Sequence, residues 1–583
     1  MRRHGSWLLT GVLLVAAALG AASCARRDPA AEAAKLHALA ERYFQARFDF
    51  RPTAATAAGD HSRDLELEDF SELRVQFEQV ALRAFLDTLA TAIDSTALPA
   101  AEQIDYALLK RDARTRLFYI EDLKVFERDP DLYHSTASNA VYALLKRDFA
   151  PLDERLSAVA AREEQIPKLF ESAKANLENP PEVWTRIAIE QARGTVEFFA
   201  KVVPAAAREA TDPAVRAHVL EANQTALAAA RDYLRFLRGD LLPRSKGDFA
   251  LGRDRFKKNC AVEEWITEEP ESLLARALAE VEENHRQMAE VCRRIDPKAS
   301  VEEVVERTAA HYPRPAGLLD SCRAEVGRLR RFIVEKGILP LPPGENLVVT
   351  ETPVFRRSLT FASTDTPGPL ETKATEAFYY VTPVEADWSR SEQDEYLREF
   401  CRGLIYTTSS HEAYPGHFLQ GLYQRENPSL TRKLTRSDTF SEGWAHYCEQ
   451  MILDEGYSDD PELRLYQLHD ALLRLCRAVL TVRLHVQGWT PEQAVEWMVR
   501  EGHQKRVNAE REVKRYTTEP LVLSYWWGKQ EVLRLRELYR ARAGAAYSLG
   551  GFHRRLLELG EPPLPLAERL LLAGAGNGAK GGD

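Results

Sequence analysis

Apolar residues recur at three- and four-residue spacing through most of the first half of the chain, as in LHALAERYFQARF (residues 36–48) and ESLLARALAEVEENHRQMAEVCRRI (271–295). That period predicts amphipathic helices from about residue 31 to 336. Pro180-Pro181, Asp212-Pro213 and residues 239–246 mark turns between helices rather than a long linker. Between 338 and 383 the pattern changes, and LPLPPGENLVVTETPVFRRSLTFASTD and EAFYYVTPV are rich in β-branched and aromatic residues with Pro and Gly breaks, so a small sheet is expected there. The helical period returns at Ser391 and runs to about Leu572, and AGAGNGAKGGD (573–583) reads as a disordered tail. The expectation is a mainly α protein with a helical N-terminal region (34–336) and a second region (337–572) in which a short sheet precedes helices.

The N-terminus follows another pattern. Arg2 and Arg3 precede an apolar run from Trp7 to about Ala22, and small residues lead to Cys24, which is the layout of a signal peptide over residues 1–23. Ala-Ala-Ser before Cys24 looks like a relaxed bacterial lipobox, which would leave Cys24 lipidated and 24–33 as the tether, the competing readings being a plain secretory signal and an uncleaved anchor. No later segment has the ~18 consecutive apolar residues of a spanning helix. The expectation is export to the bacterial periplasm or cell envelope, with attachment to membrane through the lipid alone. The formal charge of −10 and the lack of a dense basic run beyond the extreme N-terminus exclude nucleic acid as a partner. The six later cysteines show no CxxC spacing, and their connectivity is not legible.

Candidate chemistry lies in the second region. HEAYPGHFLQ (411–420) holds two histidines six residues apart. On a straight helix they would be turned by about 120° from a common face and separated by about 9 Å along the axis. Pro415 and Gly416 are the residues that permit a bulge or break, which would swing His417 back toward His411. Beginning 24 residues after His417, SEGWAHYCEQM (441–451) places Glu442, His446 and Glu449 on one helical stripe. That stripe is either a solvated face or the source of a third metal ligand, with the remaining two side chains orienting the ligands.

SEGWAHYCE resembles the segment that carries the glutamate ligand in aminopeptidases of the gluzincin type. Together, HEAYPGH, SEGWAHYCE, KRYTTEPLVLSYWWGKQ (514–530) and FYYVTPVEADW (378–388) resemble the bacterial domain-of-unknown-function 885 family, clearly over 378–535. The resemblance implies a large helical metallopeptidase-like fold with a deep cleft, the sheet lying next to the zinc-site helices. It also implies one zinc ion per chain held by His411, His417 and Glu442, with Glu412 as general base. His446 and Glu449 would then support the ligands. Tyr525 and Tyr516 are the candidate donors to a developing oxyanion, and only one of the two could reach the metal from a continuous helix. Arg515 is the candidate for a peptide carboxylate.

The expected function is zinc-dependent hydrolysis of peptide bonds, of short peptides in particular, with a zinc amidohydrolase on a cell-wall or other non-protein amide as the second reading. A non-catalytic peptide-binding or scaffold lipoprotein is the third, and the presence of Glu412 beside all three ligands weighs against it. The strands near 347–361 would form either an edge for extended substrate or a structural hairpin.

Overall fold

In the computed structural model, residues 28–353, 357, 361–385 and 388–574 are described. The expected signal peptide, Cys24 and positions 575–583 lie outside them. Helices dominate, beginning at Pro29–Phe50, where Asp28 accepts a hydrogen bond from the Ala30 amide and caps the helix. The buried apolar residues form two large cores. One is built by helices between Leu36 and Leu241, and the other extends from Phe256 to Leu571. The change of texture near residue 338 is therefore a change of secondary structure and not of core, because helices such as Pro270–Ile295 and Leu318–Lys336 pack with the second body. Among the described residues, six cysteines are buried and free, and no helix is long and apolar enough to cross a membrane.

The elements that matter for the site come from this second body. Helix α1 (Arg253–Glu263) is followed by strands β1 (Leu347–Glu351), β2 (Ala362–Asp365) and β3 (Ala377–Val381), then by α2 (Arg402–Glu412), α3 (His417–Glu426), α4 (Asp438–Asp454), α5 (Pro461–His485), α6 (Arg506–Thr518) and α7 (Ser524–Ala543). The sheet order is β1-β3-β2, with β1 parallel and β2 antiparallel to β3. The hairpin reading of 347–361 is thus corrected, since β1 and β2 do not pair with each other. The apolar run AFYYV, buried on both faces at most positions, makes β3 the central strand.

Two glycines set how α4 and α7 meet. A Cβ on Gly443 would lie 2.5 Å from backbone atoms of Gly528, and one on Gly528 would lie 2.0 Å from the Thr439 carbonyl oxygen. The helices therefore cross with their backbones in contact. That crossing carries Tyr525, one turn before Gly528, to the end of α4 that holds Glu442.

Candidate metal centre

The helix carrying His411 stops one residue later. Ala413 leaves the helical region, the Tyr414–Pro415 peptide is cis, and α3 starts at His417. The distortion expected at Pro-Gly is thus a complete break, with one histidine in the last turn of α2 and the other at the first position of α3. A Cβ at Gly416 would lie 1.7 Å from the His411 carbonyl oxygen, so the return of the chain needs a residue without one. Neighbouring elements pin the turn. The Trp444 indole N–H donates to the Pro415 carbonyl at 2.9 Å, and the Thr364 hydroxyl of β2 donates to the Glu412 carbonyl at 2.7 Å. Gly416→Ala is expected to destabilise the fold by about 1–3 kcal/mol, the cost of overpacking, and to misplace His417. Denaturant unfolding and metal content of the purified variant measure the two effects.

The two imidazoles face each other edge to face, with ring centroids 4.7 Å apart. Glu442 projects from the first turns of α4 so that its Oε2 lies 3.5 Å from His411 Nε2 and 3.3 Å from His417 Nε2. That oxygen is buried and has no hydrogen-bond partner among the described residues. One ligand atom from each of the three residues falls within 4.8 Å of the others. Burial alone would lower the His411 imidazole, but the Glu442 and Glu449 carboxylates raise it to about 10. Burial likewise opposes ionisation of Glu442, yet the two histidines hold it well below the ordinary carboxylate range. The centre therefore favours positive charge. Two imidazoles and a carboxylate form the donor set that zinc takes with one coordination position open. The unpartnered Oε2 is the atom a metal would satisfy, so these residues fit the ion.

A ring of buried partners orients the ligands. Glu449 accepts from His411 Nδ1 at 2.8 Å and from His446 Nδ1 at 3.0 Å, and it pairs with Arg474 at 3.3 Å. Burial would raise Glu449, but Arg474 and His446 keep it well below the usual carboxylate range, so it can only accept. His411 must then carry a proton on Nδ1 and direct Nε2 inward. Gln420 Oε1 does the same for His417, accepting from Nδ1 at 3.2 Å. If the cluster holds zinc, Glu449→Gln is expected to weaken its binding about 10–100-fold, the effect of losing an outer partner of a metal-bound histidine. Titration against a competing chelator measures this.

The tyrosines separate. Glu519 to Leu523 interrupt the helix, so Tyr516 lies on α6 and Tyr525 on α7. Tyr516 is buried and its hydroxyl donates to Glu512 at 2.7 Å, which ties it to the Arg477–Glu512 ion pair instead of His411, His417 or Glu442. The ring of Tyr525 lies nearly parallel to that of His411 with centroids 6.3 Å apart. Burial and Glu442 push the Tyr525 hydroxyl up, against the opposing pull of Arg477 and Arg515, so it stays a donor at neutral pH. Arg515 sits beside that hydroxyl and is paired with Glu519 at 2.7 Å, which also suits it to position Tyr525.

Glu442, Tyr525 and Arg515 border a cavity of about 270 Å³ that reaches past Tyr119, Asp129 and Trp184 of the N-terminal body to Asn259 and Glu263 of α1. Arg474, Arg477, Gln420 and the residues of α1 were not singled out by sequence reasoning. Gln420 had an available signal, three residues after a histidine on the same helix. Asn259 and Glu263 had none, being more than 140 residues before His411 in an ordinary helical stretch.

A mainly α body holding a partly buried two-histidine, one-carboxylate cluster at a broken helix defines the architecture. The chain belongs to the family described as bacterial protein of unknown function (DUF885), whose model matches residues 52–571. It is similar to a solved structure from Shewanella oneidensis described as a "putative lipoprotein of unknown function", with a TM-score of 0.77 and 27% identity over 92% of this chain and 99% of that one. A "putative lipoprotein" from Colwellia psychrerythraea shares the fold with a TM-score of 0.79 and 17% identity over 94% of this chain and 99% of that one. No curated protein matches the sequence.

Proposed function

We propose that the protein is a zinc-dependent peptidase of the cell envelope. The observation that carries this reading is the buried, unpartnered Glu442 Oε2 set between two Nε2 atoms whose opposite nitrogens are held by Glu449 and Gln420. His411, His417 and Glu442 would hold the ion. When bound, zinc supplies Lewis acidity and lowers the pKa of water toward neutrality. Glu412 follows a candidate ligand directly in sequence and ends α2, so its carboxylate would accept the proton of the attacking water and return it to the leaving amine. The Tyr525 hydroxyl would donate to the substrate carbonyl oxygen as charge develops there. Arg515 and Arg477 hold Tyr525 in place, the latter with its guanidinium 4.6 Å from the ring centroid.

Attachment to the envelope rests on the signal-like N-terminus with Cys24 and on the lipoprotein description of both structural relatives. The test is metal content by mass spectrometry on purified residues 25–583, followed by a short-peptide library with the zinc-loaded protein. About one zinc per chain with peptide cleavage is expected. Protein that takes no zinc when offered it would overturn the reading in favour of a binding lipoprotein. Zinc without cleavage of peptides would direct attention to non-protein amides.

A further inference from the structure

The cavity beside Glu442 is lined by five carboxylates, Asp129, Glu263, Asp438, Glu519 and Glu442 itself, against the guanidiniums of Arg128 and Arg515. Both guanidiniums are engaged, Arg515 with Glu519 and Arg128 with the Asp248 carbonyl and the face of Trp184. An acidic lining alone would carry no conclusion. A second feature of the same cavity is polar groups left without partners. Asn259 is fully buried, yet among the described residues neither its amide oxygen nor its amide nitrogen has a hydrogen-bond partner. Glu263 accepts from the Tyr119 hydroxyl at 3.1 Å through Oε2, while its buried Oε1 accepts from none of the described residues. A buried polar group without a partner destabilises the empty site, so a molecule that meets these groups binds with that free energy in its favour.

The two sets of unmet groups ask for different chemistry. The Asn259 side chain offers one donor and one acceptor, the complement of a peptide group. The Glu263 carboxylate is the complement of an ammonium, which has three donors and no acceptor, and Asp129, whose Oδ1 already accepts from the Asp131 amide at 2.9 Å, adds negative charge to the same cavity. We propose that this cavity receives a cationic group of the peptide substrate, either a lysine side chain or a free amino terminus, at Glu263 and Asp129, with Asn259 bonding the adjoining peptide group. The inference rests on the peptidase reading for the bond that is cut, but not for the binding itself. Burial and the neighbouring Glu264 push Glu263 up to about 8, and burial with Asp131 pushes Asp129 up to about 7. An entering cation would reverse that penalty. At about 270 Å³ the space lies below the ~300 Å³ at which small-molecule pockets begin, which suits one side chain or chain terminus and excludes a folded segment.

The probes are tetraalanine peptides with a single lysine walked through each position, each with a free or an acetylated amino terminus. Dissociation constants are measured by calorimetry on the zinc-loaded Glu412→Gln protein, and kcat/KM on the wild type. Cationic peptides are expected to bind about 10-fold or more tighter than acetylated tetraalanine, as for a buried charge meeting its partner. Glu263→Gln should remove most of that preference, and Asp129→Asn serves as the second variant should Glu263→Gln fail to fold. The acetylated arm tells a lysine side chain from an amino terminus. No preference for cations, or a preference unchanged in both variants, overturns the proposal. Cation-selective binding lost in the variants, with no peptide cleaved by the wild type, would leave the pocket standing and remove the peptidase reading. Cleavage indifferent to charge would do the opposite.

Discussion

Glu442→Ala is expected to lower zinc affinity by more than the ~10–100-fold that loss of an outer partner causes, so that protein purified without chelator carries little metal. The argument is geometric. His411 and His417 present Nε2 atoms to one point, and Glu442 Oε2 is 3.5 Å and 3.3 Å from them with no bond of its own. With alanine in its place two imidazoles remain, and Glu449 is occupied on the far side of His411 by His411 Nδ1, His446 and Arg474. It cannot enter without releasing His411. Glu449→Gln should therefore lose metal less severely than Glu442→Ala, and a chelator titration on both orders them. The reverse order, or unchanged zinc content in Glu442→Ala, would move the third ligand position to Glu449.

The residues at the broken helix were legible because their chemistry is local. Proline cannot donate and glycine tolerates close approach, so HEAYPGH announces its own distortion, and the alternation from helical period to β-branched residues announces the sheet. Glu442, His446 and Glu449 were legible as a stripe, because one helix sets their spacing. What lay beyond sequence reasoning depends on contacts between distant segments. Tyr516 and Tyr525 look equivalent along the chain. Only the break at 519–523 and the Gly443–Gly528 crossing bring Tyr525 to His411 and leave Tyr516 with Glu512. Likewise the pairing of β1 and β2 with β3 rather than with each other depends on which strand is buried on both faces, and no turn signal between 351 and 362 encodes that. The cavity combines α1, α6, α7 and segments of the N-terminal body, and a periodicity of 3.6 carries no information about such a meeting.

Glu412→Gln is expected to lower kcat for peptide hydrolysis by about 10²–10⁴, the usual contribution of a general base, while zinc content stays at the wild-type level. The amide keeps the shape of the side chain and loses only the capacity to take a proton. Glu412 is outside the set of three groups whose ligand atoms converge, so the metal has no reason to leave. The fold should not suffer either. Glu412 is the last residue of α2, where a negative charge opposes the helix dipole, so its neutralisation is slightly favourable by a few tenths of a kcal/mol. Thr364 bonds the Glu412 backbone carbonyl and not its carboxylate, and the substitution leaves that tie in place. Steady-state kinetics on the best peptide, mass-spectrometric zinc content and a thermal melt give three independent readings. Lost turnover with zinc and melting temperature intact identifies the base. Retained turnover assigns proton transfer to another group, and turnover lost together with zinc makes Glu412 part of the metal's own surroundings.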